Sequence, residues 1–449
     1  MTLRKQAVSL VIMHACDVLQ PLLVLPYAAR MLGPDQFGRF AYATSIGQFA
    51  ATLVGYGFYW TAQRSAASSR NEPTAIASLL ANVIASQTVL LFCVTAVGLV
   101  IADSVLAISR PLFLCVMLTA VGGMLFPVWL LIGLERAWQA AIAVGSARCF
   151  ALVCFIILVR SPTQIDLAVA IQSAVPLVSA IVSVPFILPI GFGGFRTISF
   201  GRIKLQLVSA WSGFLYALIE RTLLTLPVPL IQQFSGYAAV GYYSIADKFI
   251  SAVRSFFRIL TETLLPRVAY YSRHDPHAGL ALIRRSFLAL GVGAALGLCL
   301  MFIAPPMILL IFGDEFAPSI PILRVMAVMP ILLIGNICLS NLYLFNYGYE
   351  RTWLRLSIVS LLIFFAVAYF CATQFGNAAI GVAIGLVARE AVVFLVSLGL
   401  FLSVETRLLR LLRWRQPPSS ILSKRLASRG YGLDPIDLAP KPEELPDAR

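Results

Sequence analysis

Long apolar runs alternate with short polar breaks from residue 6 to residue 403. A membrane-spanning helix needs about 20 mostly apolar residues, and twelve segments reach that length. They are 6–29, 39–62, 76–101, 111–133, 138–159, 167–190, 206–231, 239–264, 287–312, 319–346, 353–374 and 378–403. Because backbone polar groups must find partners inside a bilayer, each segment should be a helix. The pattern predicts an all-α polytopic membrane protein with twelve spans.

The chain repeats itself at about half its length. Segment 133–138 returns 215 positions later as 348–353, with the same Gly, Glu, Arg and Trp. A second match has an offset of 203 and aligns Pro26, Gly33, Gly38 and Phe40 with Pro229, Gly236, Gly241 and Tyr243. Such internal symmetry is typical of transporters. It predicts two six-helix bundles, residues 1–195 and 196–405, related by a pseudo-two-fold axis along the membrane normal.

Composition and charge agree with a membrane protein. Apolar residues make up 59% of the chain and charged residues 12%, whereas a soluble domain carries about 25% charged residues. Outside the tail, predicted loops on one side hold 14 Lys and Arg and those on the other hold 4, so both termini should be cytoplasmic. The tail, 406–449, is basic and proline-rich, and we expect it to be disordered. Its position beside the last span favours a lipid surface over a nucleic-acid partner.

Predicted span 8 carries a polar stripe. The stripe consists of Lys248, Ser251, Ser255, Arg258 and Glu262, spaced 3, 4, 3 and 4, with Asp247 and Arg254 beside it. This spacing places the stripe on one helix face. Charges at bilayer depth are costly unless they face water or partners, so the face should line an aqueous cavity. The alternative is a structural ion-pair network, Asp247 with Arg254 or Arg258 with Glu262.

The 203 offset places a neutral counterpart of this stripe on predicted span 2. Its positions are Ser45, Gln48, Thr52, Gly55 and Tyr59, with Tyr56 nearby. One cavity would then have a neutral wall of Gln48, Tyr56 and Tyr59 and a cationic wall of Lys248, Arg254 and Arg258. Amide, hydroxyl and aromatic groups suit sugars, and Arg and Lys suit phosphate. The combination favours a phosphorylated glycan.

Other charges fall within the apolar segments. Asp17 aligns with Glu220, which is followed by Arg221, and such acids could carry a coupling ion together with Asp247 and Glu262. A plain polar role in the helix is the alternative for Asp17. Arg148, Arg324, Arg389 and Glu390 are expected to reach toward span ends, with ion pairs among the last three as the alternative. Neither the cysteines nor the three histidines form a motif for a metal or cofactor.

The chain resembles the Wzx-type polysaccharide flippases, within the superfamily that also holds the MATE exporters. The motifs are Leu25-Pro26-Tyr27, Leu32-Gly33-Pro34, Phe37-Gly38, Tyr56-Gly57-Phe58, Arg64, Pro127, Trp129, 133–136, 240–243, 246–248, 265–267 and Phe312-Gly313. Two positions depart from the family, Gly55 in place of the common Asp and Ile132 in place of Gln. Both changes remove polarity from the N-terminal half.

The resemblance implies a bacterial inner-membrane flippase for undecaprenyl-diphosphate-linked oligosaccharide repeat units of O-antigen, capsule or exopolysaccharide. It would work by alternating access with cation coupling, and contact with a polysaccharide polymerase and chain-length machinery is implied. Arg30, near the external mouth, would help to release the diphosphate, and Arg221 would join the cavity. The alternatives are a MATE-like drug or cation antiporter and a membrane glycan polymerase or ligase. The last requires a long external loop with catalytic residues, so we do not expect an enzyme.

Overall fold

A computed structural model describes residues 3–190, 193–274, 276–344, 346 and 349–413. Within these ranges every regular element is helical. The α-helices are α1 Leu3–Gly55, α2 Phe58–Ser68, α3 Pro73–Ile101, α4 Arg110–Leu125, α5 Val128–Gly133, α6 Ala137–Leu158, α7 Ile165–Ile187, α8 Phe200–Thr225, α9 Pro227–His274, α10 Pro276–Phe312, α11 Ser319–Met326, α12 Met329–Asn336, α13 Glu350–Phe375 and α14 Ala378–Arg413. A π-helix, Ile337–Leu344, continues α12.

Seven helical segments of the described chain are long and apolar enough to cross a membrane. They are Pro73–Ile101, Arg110–Gly133, Ala137–Leu158, Pro162–Ile190, Ser319–Leu344, Thr352–Gln374 and Ala378–Ser403, and they coincide with predicted spans 3–6 and 10–12. Predicted span 1 lies on α1, and span 2 lies on the rest of α1 and the start of α2. Span 7 lies on α8 and the start of α9, span 8 on α9, and span 9 on α10. The chain is a multi-pass membrane protein, and the count of twelve stays a prediction.

Two long helices turn sharply at corresponding glycines. Gly33 in α1 has φ 71° and ψ 170°, and Gly236 in α9 has φ 77° and ψ −176°. This backbone region is essentially restricted to glycine. The two residues are 203 positions apart, so the offset found in the sequence joins residues with the same unusual conformation. We call the end of the molecule with these two turns the Gly33 end.

The opposite end, which we call the Gly57 end, begins where α1 stops. Tyr56 and Gly57 have φ of 45° and 71°, and α2 starts after them in a new direction. The apolar face of α2 consists of Phe58, Ala62 and Ala66 and is buried in a cluster with residues of α3, α5 and α8. Predicted span 2, 39–62, is therefore interrupted, because its last residues belong to a separate helix.

The main hydrophobic core joins α1 and α9. Phe37, Phe40, Tyr243 and Ile250 are buried in one cluster with Phe316, which follows α10. Residues up to Leu395 form one compact unit, and a second unit starts at Val396. α14 continues to Arg413, past the predicted boundary at residue 405, and the rest of the predicted tail lies outside the described residues.

Candidate functional site

The cationic stripe predicted on span 8 lies on α9, which is amphipathic at this point. The buried positions are Tyr243, Ala246, Ile250 and Phe257. Asp247, Lys248, Ser251 and Arg254 lie between these positions and are half-buried. The hydroxyl of Ser251 donates a hydrogen bond to Oδ2 of Asp247 over 3.3 Å. The structure thus brings two cations and one carboxylate together on a partly accessible face, in a helix otherwise packed into the core.

For four predicted residues the structure describes the helix on which they lie, but their side chains fall outside the described part. These are Asp17 on α1, Glu220 on α8, and Arg258 and Glu262 on α9. Their proposed ion-coupling and phosphate-binding roles stay predictions. Arg221 on α8 is half-buried, and its carbonyl accepts a hydrogen bond of 2.8 Å from the Thr225 hydroxyl.

The predicted neutral wall does not form one continuous face. Gln48 is exposed on α1, whereas Tyr59 is on α2 beyond the break at Gly57, with 38% of its surface exposed. Tyr56 stacks on Phe214 of α8 with ring centroids 4.3 Å apart and planes at 14°. The expectation that Tyr59 extends the stripe of Gln48 is wrong, because two consecutive positive φ values end the helix between them.

The N-terminal and C-terminal halves touch closely beside Tyr56. A Cβ added to Gly57 would lie 2.4 Å from the backbone nitrogen of Phe214, so only glycine fits there. Trp211 and Phe214 of α8 pack with Tyr56 in an aromatic cluster. At the Gly57 end, α8 is therefore held against the break between α1 and α2, and the ring of Tyr56 is part of that contact.

At the Gly33 end, Arg30 binds the other half of the chain. Its Nε donates a hydrogen bond of 2.7 Å to the carbonyl of Ile311, and its Nη2 donates to the carbonyl of Leu310. Both carbonyls belong to the last turn of α10, where helical acceptors lack intrahelical partners and attract positive charge. Arg30 was expected to help release substrate at the external mouth. In the structure it caps the C-terminal end of α10.

A reciprocal backbone contact lies beside the two turns. A Cβ at Gly38 would lie 1.8 Å from the carbonyl oxygen of Tyr237, and one at Gly241 would lie 2.5 Å from the carbonyl oxygen of Pro34. Gly38 and Gly241 are 203 positions apart, and so are the residues that they contact, Pro34 and Tyr237. The two contacts are therefore copies of each other with the halves exchanged. A two-fold relation between halves requires this exchange of partners. Larger residues at either position would push α1 and α9 apart.

Tyrosines add further contacts at the Gly33 end. The Tyr237 hydroxyl donates a hydrogen bond of 2.9 Å to the carbonyl of Ala107, between the halves. The Tyr42 hydroxyl donates one of 2.6 Å to the carbonyl of Leu106, within the N-terminal half. The guanidinium carbon of Arg39 lies 5.0 Å from the centroid of the Tyr237 ring, a cation–π distance. The two contacts of Tyr237, with Ala107 and with Arg39, hold the two halves together at this end.

Two polar clusters lie inside the helices, where side chains were expected to reach toward span ends. Nη1 of Arg148 donates a hydrogen bond of 2.9 Å to Oε1 of Gln20, whose Nε2 donates one of 3.1 Å to Oε1 of Gln172. The expectation that Arg148 reaches a span end is therefore wrong. Gln20 and Gln172 are amides inside apolar runs, and their position there is the signal that could have revealed the cluster.

The second cluster joins α12 to α14. Nη1 of Arg389 pairs with Oε1 of Glu390, and Nδ2 of Asn336 donates a hydrogen bond of 2.5 Å to Oε2 of Glu390. The same amide donates to the Glu390 carbonyl over 3.0 Å. Glu390 is buried and paired with Arg389. The expectation that these two residues reach a span end is therefore wrong, and the alternative, an ion pair between them, is correct. The described residues hold no group of three or more His, Cys, Asp or Glu suited to a metal.

Comparison with known proteins gives both a family and a fold. A family model described as polysaccharide biosynthesis protein matches residues 3–272. A protein of Escherichia coli strain K12 named "Putative O-antigen transporter" is 26% identical over 403 residues, 88% of this chain and 95% of that protein. A protein of Shigella dysenteriae with the same name is 24% identical over 389 residues, 82% and 93% of the two chains.

Solved structures share the fold at low identity. An inward-facing multidrug resistance transporter of the MATE family, in the MOP superfamily, has a TM-score of 0.67 at 16% identity, covering 86% of this chain and 96% of its own. An outward-facing MATE family transporter of that superfamily has a TM-score of 0.58 at 16% identity, covering 88% and 94%. At these identities the likeness concerns the fold alone.

Proposed function

Because the chain belongs to the polysaccharide biosynthesis protein family, we propose that it is a flippase for undecaprenyl-diphosphate-linked oligosaccharide repeat units in the bacterial inner membrane. The resemblance to Wzx-type flippases is confirmed by this match and by relatives named as O-antigen transporters. Those names describe transporters rather than enzymes. The polar head of the lipid would cross the membrane through the protein while the polyprenyl tail stays in the bilayer.

The observation that carries the proposal is the partly accessible cationic face of α9. Lys248 and Arg254 lie mid-helix, half-buried, on a chain whose solvent is mostly lipid. Ionisable residues at that depth are costly and mark substrate or ion pathways. Ammonium and guanidinium groups bind phosphate oxygens through charge-assisted hydrogen bonds. A diphosphate-linked sugar would bring the matching negative charge.

We place this face in a transporter of two six-helix bundles, residues 1–195 and 196–405, with twelve spans, both termini in the cytoplasm and a tail from 406 to 449. The reciprocal contact of Gly38 and Gly241 supports a two-fold relation between the bundles. In that orientation the Gly33 end is external, and the contacts of Arg30 and Tyr237 close it. The described conformation would then load substrate from the cytoplasm.

Cation coupling belongs to the proposal as well. Asp17, Glu220, Asp247 and Glu262 are acids on helices of the proposed spans, and Asp247 lies beside Lys248 on the cationic face. A carboxylate whose proton affinity changes when a cavity opens to the other side can couple a cation gradient to that opening. We also propose delivery of the flipped repeat unit to a polymerase and its chain-length partners.

Neutralising the cationic face tests the proposal. In a strain without its own copy, the double variant Lys248→Gln/Arg254→Gln should lower glycan export at least about tenfold, a change of about 1.4 kcal/mol. Lipid-linked repeat units should accumulate on the cytoplasmic face, measured by extraction and mass spectrometry. Arg324→Gln, an exposed arginine on α11, is the matched control and should export normally.

Wild-type export by the double variant, at normal protein abundance on immunoblots, contradicts a role for the cationic face. If deletion of the protein leaves no accumulated repeat units, the flippase itself is contradicted. Efflux of cationic dyes by cells that lack their own pumps would instead favour the drug antiporter, which needs an acidic or apolar cavity.

A further inference from the structure

A cavity lies at the Gly57 end, between α2 and the turn from α5 to α6. Its volume is about 360 Å³, within the range of about 300 to 1,000 Å³ found for small-molecule sites. It is lined by Trp60, Gln63, Arg64, Ala67, Arg70, Ile132, Gly133 and Glu135. None of these residues belongs to the cationic face of α9, so the cavity is a separate candidate site.

One wall of this cavity is a single face of α2. Positions 60, 63, 64 and 67 recur at helical spacing, opposite the buried face of the helix. α2 packs tightly on the other wall, since a Cβ at Gly133 would lie 2.8 Å from the carbonyl oxygen of Gln63. The two walls are thus fixed relative to each other by backbone packing.

The other wall is held by an ion pair. Nη2 of Arg70 lies 2.9 Å from Oε1 of Glu135 and 3.4 Å from the carbonyl of Gly133. Glu135 has φ 59°, a conformation that non-glycine residues adopt only when surrounding contacts impose it. The pair neutralises Arg70, so the charge of the cavity depends on its other arginine.

Three groups in the cavity remain available to a ligand. Arg64 is exposed and forms no ion pair within the described part of the chain. Trp60 has 54% of its surface exposed, and Oε1 of Gln63 is buried with no hydrogen-bond donor among the described residues. A guanidinium suits phosphate, an indole face suits a sugar ring, and a buried acceptor suits a hydroxyl.

The second half of the chain provides an internal comparison. Arg64 and Arg70 recur 203 positions later as Arg267 and Arg273, and Glu135 recurs 215 positions later as Glu350. The aromatic and the amide do not recur, because Thr263 and Pro266 stand at the positions that match Trp60 and Gln63. The basic residues and the acid are therefore common to both halves. The combination of Trp60, Gln63 and Arg64 belongs to the first half alone.

We propose that this cavity is an entry site that binds a phosphate-bearing lipid headgroup with its attached sugar. Arg64 binds the phosphate, Trp60 packs against the sugar ring, and Gln63 accepts a hydrogen bond from a sugar hydroxyl. The proposal rests on the flippase function and adds a binding step at the proposed cytoplasmic side, before the headgroup reaches α9.

Binding can be measured on the full-length protein in phosphatidylcholine nanodiscs. The Lys248→Gln/Arg254→Gln background removes the two half-buried cations of the α9 face, so any further loss caused by Arg64→Gln in this background reports the entry site. The probes are undecaprenyl diphosphate N-acetylglucosamine, undecaprenyl diphosphate and phosphatidylglycerol. Arg64→Gln should weaken both undecaprenyl probes about tenfold, which corresponds to about 1.4 kcal/mol. Trp60→Leu should weaken only the probe that carries a sugar.

Arg267→Gln is the matched control, because Arg267 is exposed at the corresponding position of the second half. Its binding should stay within about twofold of the background. Equal losses in Arg64→Gln and Arg267→Gln would indicate general positive charge and overturn the site. An equal loss of phosphatidylglycerol would indicate a general anionic-lipid surface and also overturn it.

Unchanged binding by Arg64→Gln, in protein with the melting temperature of the background, overturns the entry site. The flippase proposal fails separately, when the wild-type protein binds neither undecaprenyl probe and its deletion accumulates no lipid-linked units. If deletion does accumulate them while Arg64→Gln binds normally, only the entry site is wrong.

Discussion

At the scale of single residues, three arginines inside predicted spans or at their ends have three kinds of partner. Arg30 caps the carbonyls of α10, Arg148 donates to the amide of Gln20, and Arg389 pairs with Glu390. A carbonyl cap can be released to water when helices move apart, because Arg30 is exposed. The pair of Arg389 is buried and should persist. We therefore expect the exposed contact of Arg30 to open and close, and the pair of Arg389 with Glu390 to stay formed.

Replacing Arg30 tests whether its cap closes the Gly33 end. Arg30→Gln removes a charged donor, and such bonds contribute about 1.5 to 3 kcal/mol when protected from water, less when exposed. In a cysteine-free background with Val240→Cys as reporter, labelling by a water-soluble thiol reagent should become several-fold faster. Val240 is buried beside the contact between the halves, so labelling requires opening.

Arg160→Gln is the matched control. Arg160 is exposed in the loop that follows α6, and its Nε donates a hydrogen bond of 2.8 Å to the carbonyl of Ile157, within the same half. Its replacement removes the same charge without touching a contact between the halves. Equal labelling rates in both variants and the parent would contradict the closing role of Arg30.

The sequence predicted the structural role of some residues and missed that of others. The correspondence of Gly33 with Gly236 followed from the offset alone, because a repeated backbone turn needs the same residue in both copies. The partners of Arg148 and Glu390 could not be found that way. Their amide partners lie 128 and 54 positions away in the chain, and only the folded packing brings them together.

At the scale of helices, the cluster of Asn336, Arg389 and Glu390 fastens α12 to α14. Glu390→Gln should leave the Arg389 charge without a counter-charge in a buried place, and losing one partner of a buried pair costs about 3 to 5 kcal/mol. Unfolding of purified protein in detergent should shift accordingly. The double variant Arg389→Met/Glu390→Leu should regain most of the loss, since it removes both charges.

A double variant as unstable as Glu390→Gln would show that packing, rather than the charge, sets the cost. A Glu390→Gln protein with unchanged stability would instead show that water reaches the cluster. Export by these variants should follow their abundance in the membrane, because none of the three residues belongs to the cationic face of α9.

Helix boundaries were predicted well where polar residues or turn signals separate apolar runs, and poorly where a helix is interrupted inside an apolar run. Predicted spans 3–6 and 10–12 match helical segments of the structure closely. Predicted spans 1 and 2 meet at Gly33, the non-helical residue inside α1, whereas span 2 ends early at Tyr56. Arg30, Asp35, Gln36 and Arg39 form a polar break around Gly33 that is visible in the sequence. No charged residue lies between positions 40 and 63, so the break at Tyr56 appears only in the backbone dihedral angles.

At the scale of the whole molecule, the two halves meet at the Gly33 end through contacts that the proposed alternating access must break. A pair of cysteines at Ala107 and Tyr237 spans that contact, since the Tyr237 hydroxyl bonds the Ala107 carbonyl. Cross-linking this pair with a reducible bifunctional thiol reagent should abolish glycan export, because the end can no longer open. Reduction with dithiothreitol should restore export.

Cysteines at Tyr42 and Leu106 form the matched pair, bonded in the same way but within one half. Cross-linking them should leave export near that of the uncross-linked protein. Export that survives the cross-link between Ala107 and Tyr237, shown complete by mass spectrometry, would contradict opening at this end. Each single-cysteine variant, treated with the same reagent, reports the effect of modification alone.

The reciprocal contact of Gly38 and Gly241 also determines whether one sequence or two different sequences are needed to form this interface. Pro34 meets Gly241 as Tyr237 meets Gly38, so a single half-sequence specifies both sides of the contact. Two copies of one half could satisfy it as an isologous homodimer, with no second sequence to match. A fused chain is free to change either copy elsewhere. Where α1 crosses α9, a bulkier residue at Gly38 or Gly241 would clash with a backbone carbonyl of the other half. A side-chain substitution in that other half could not remove the clash.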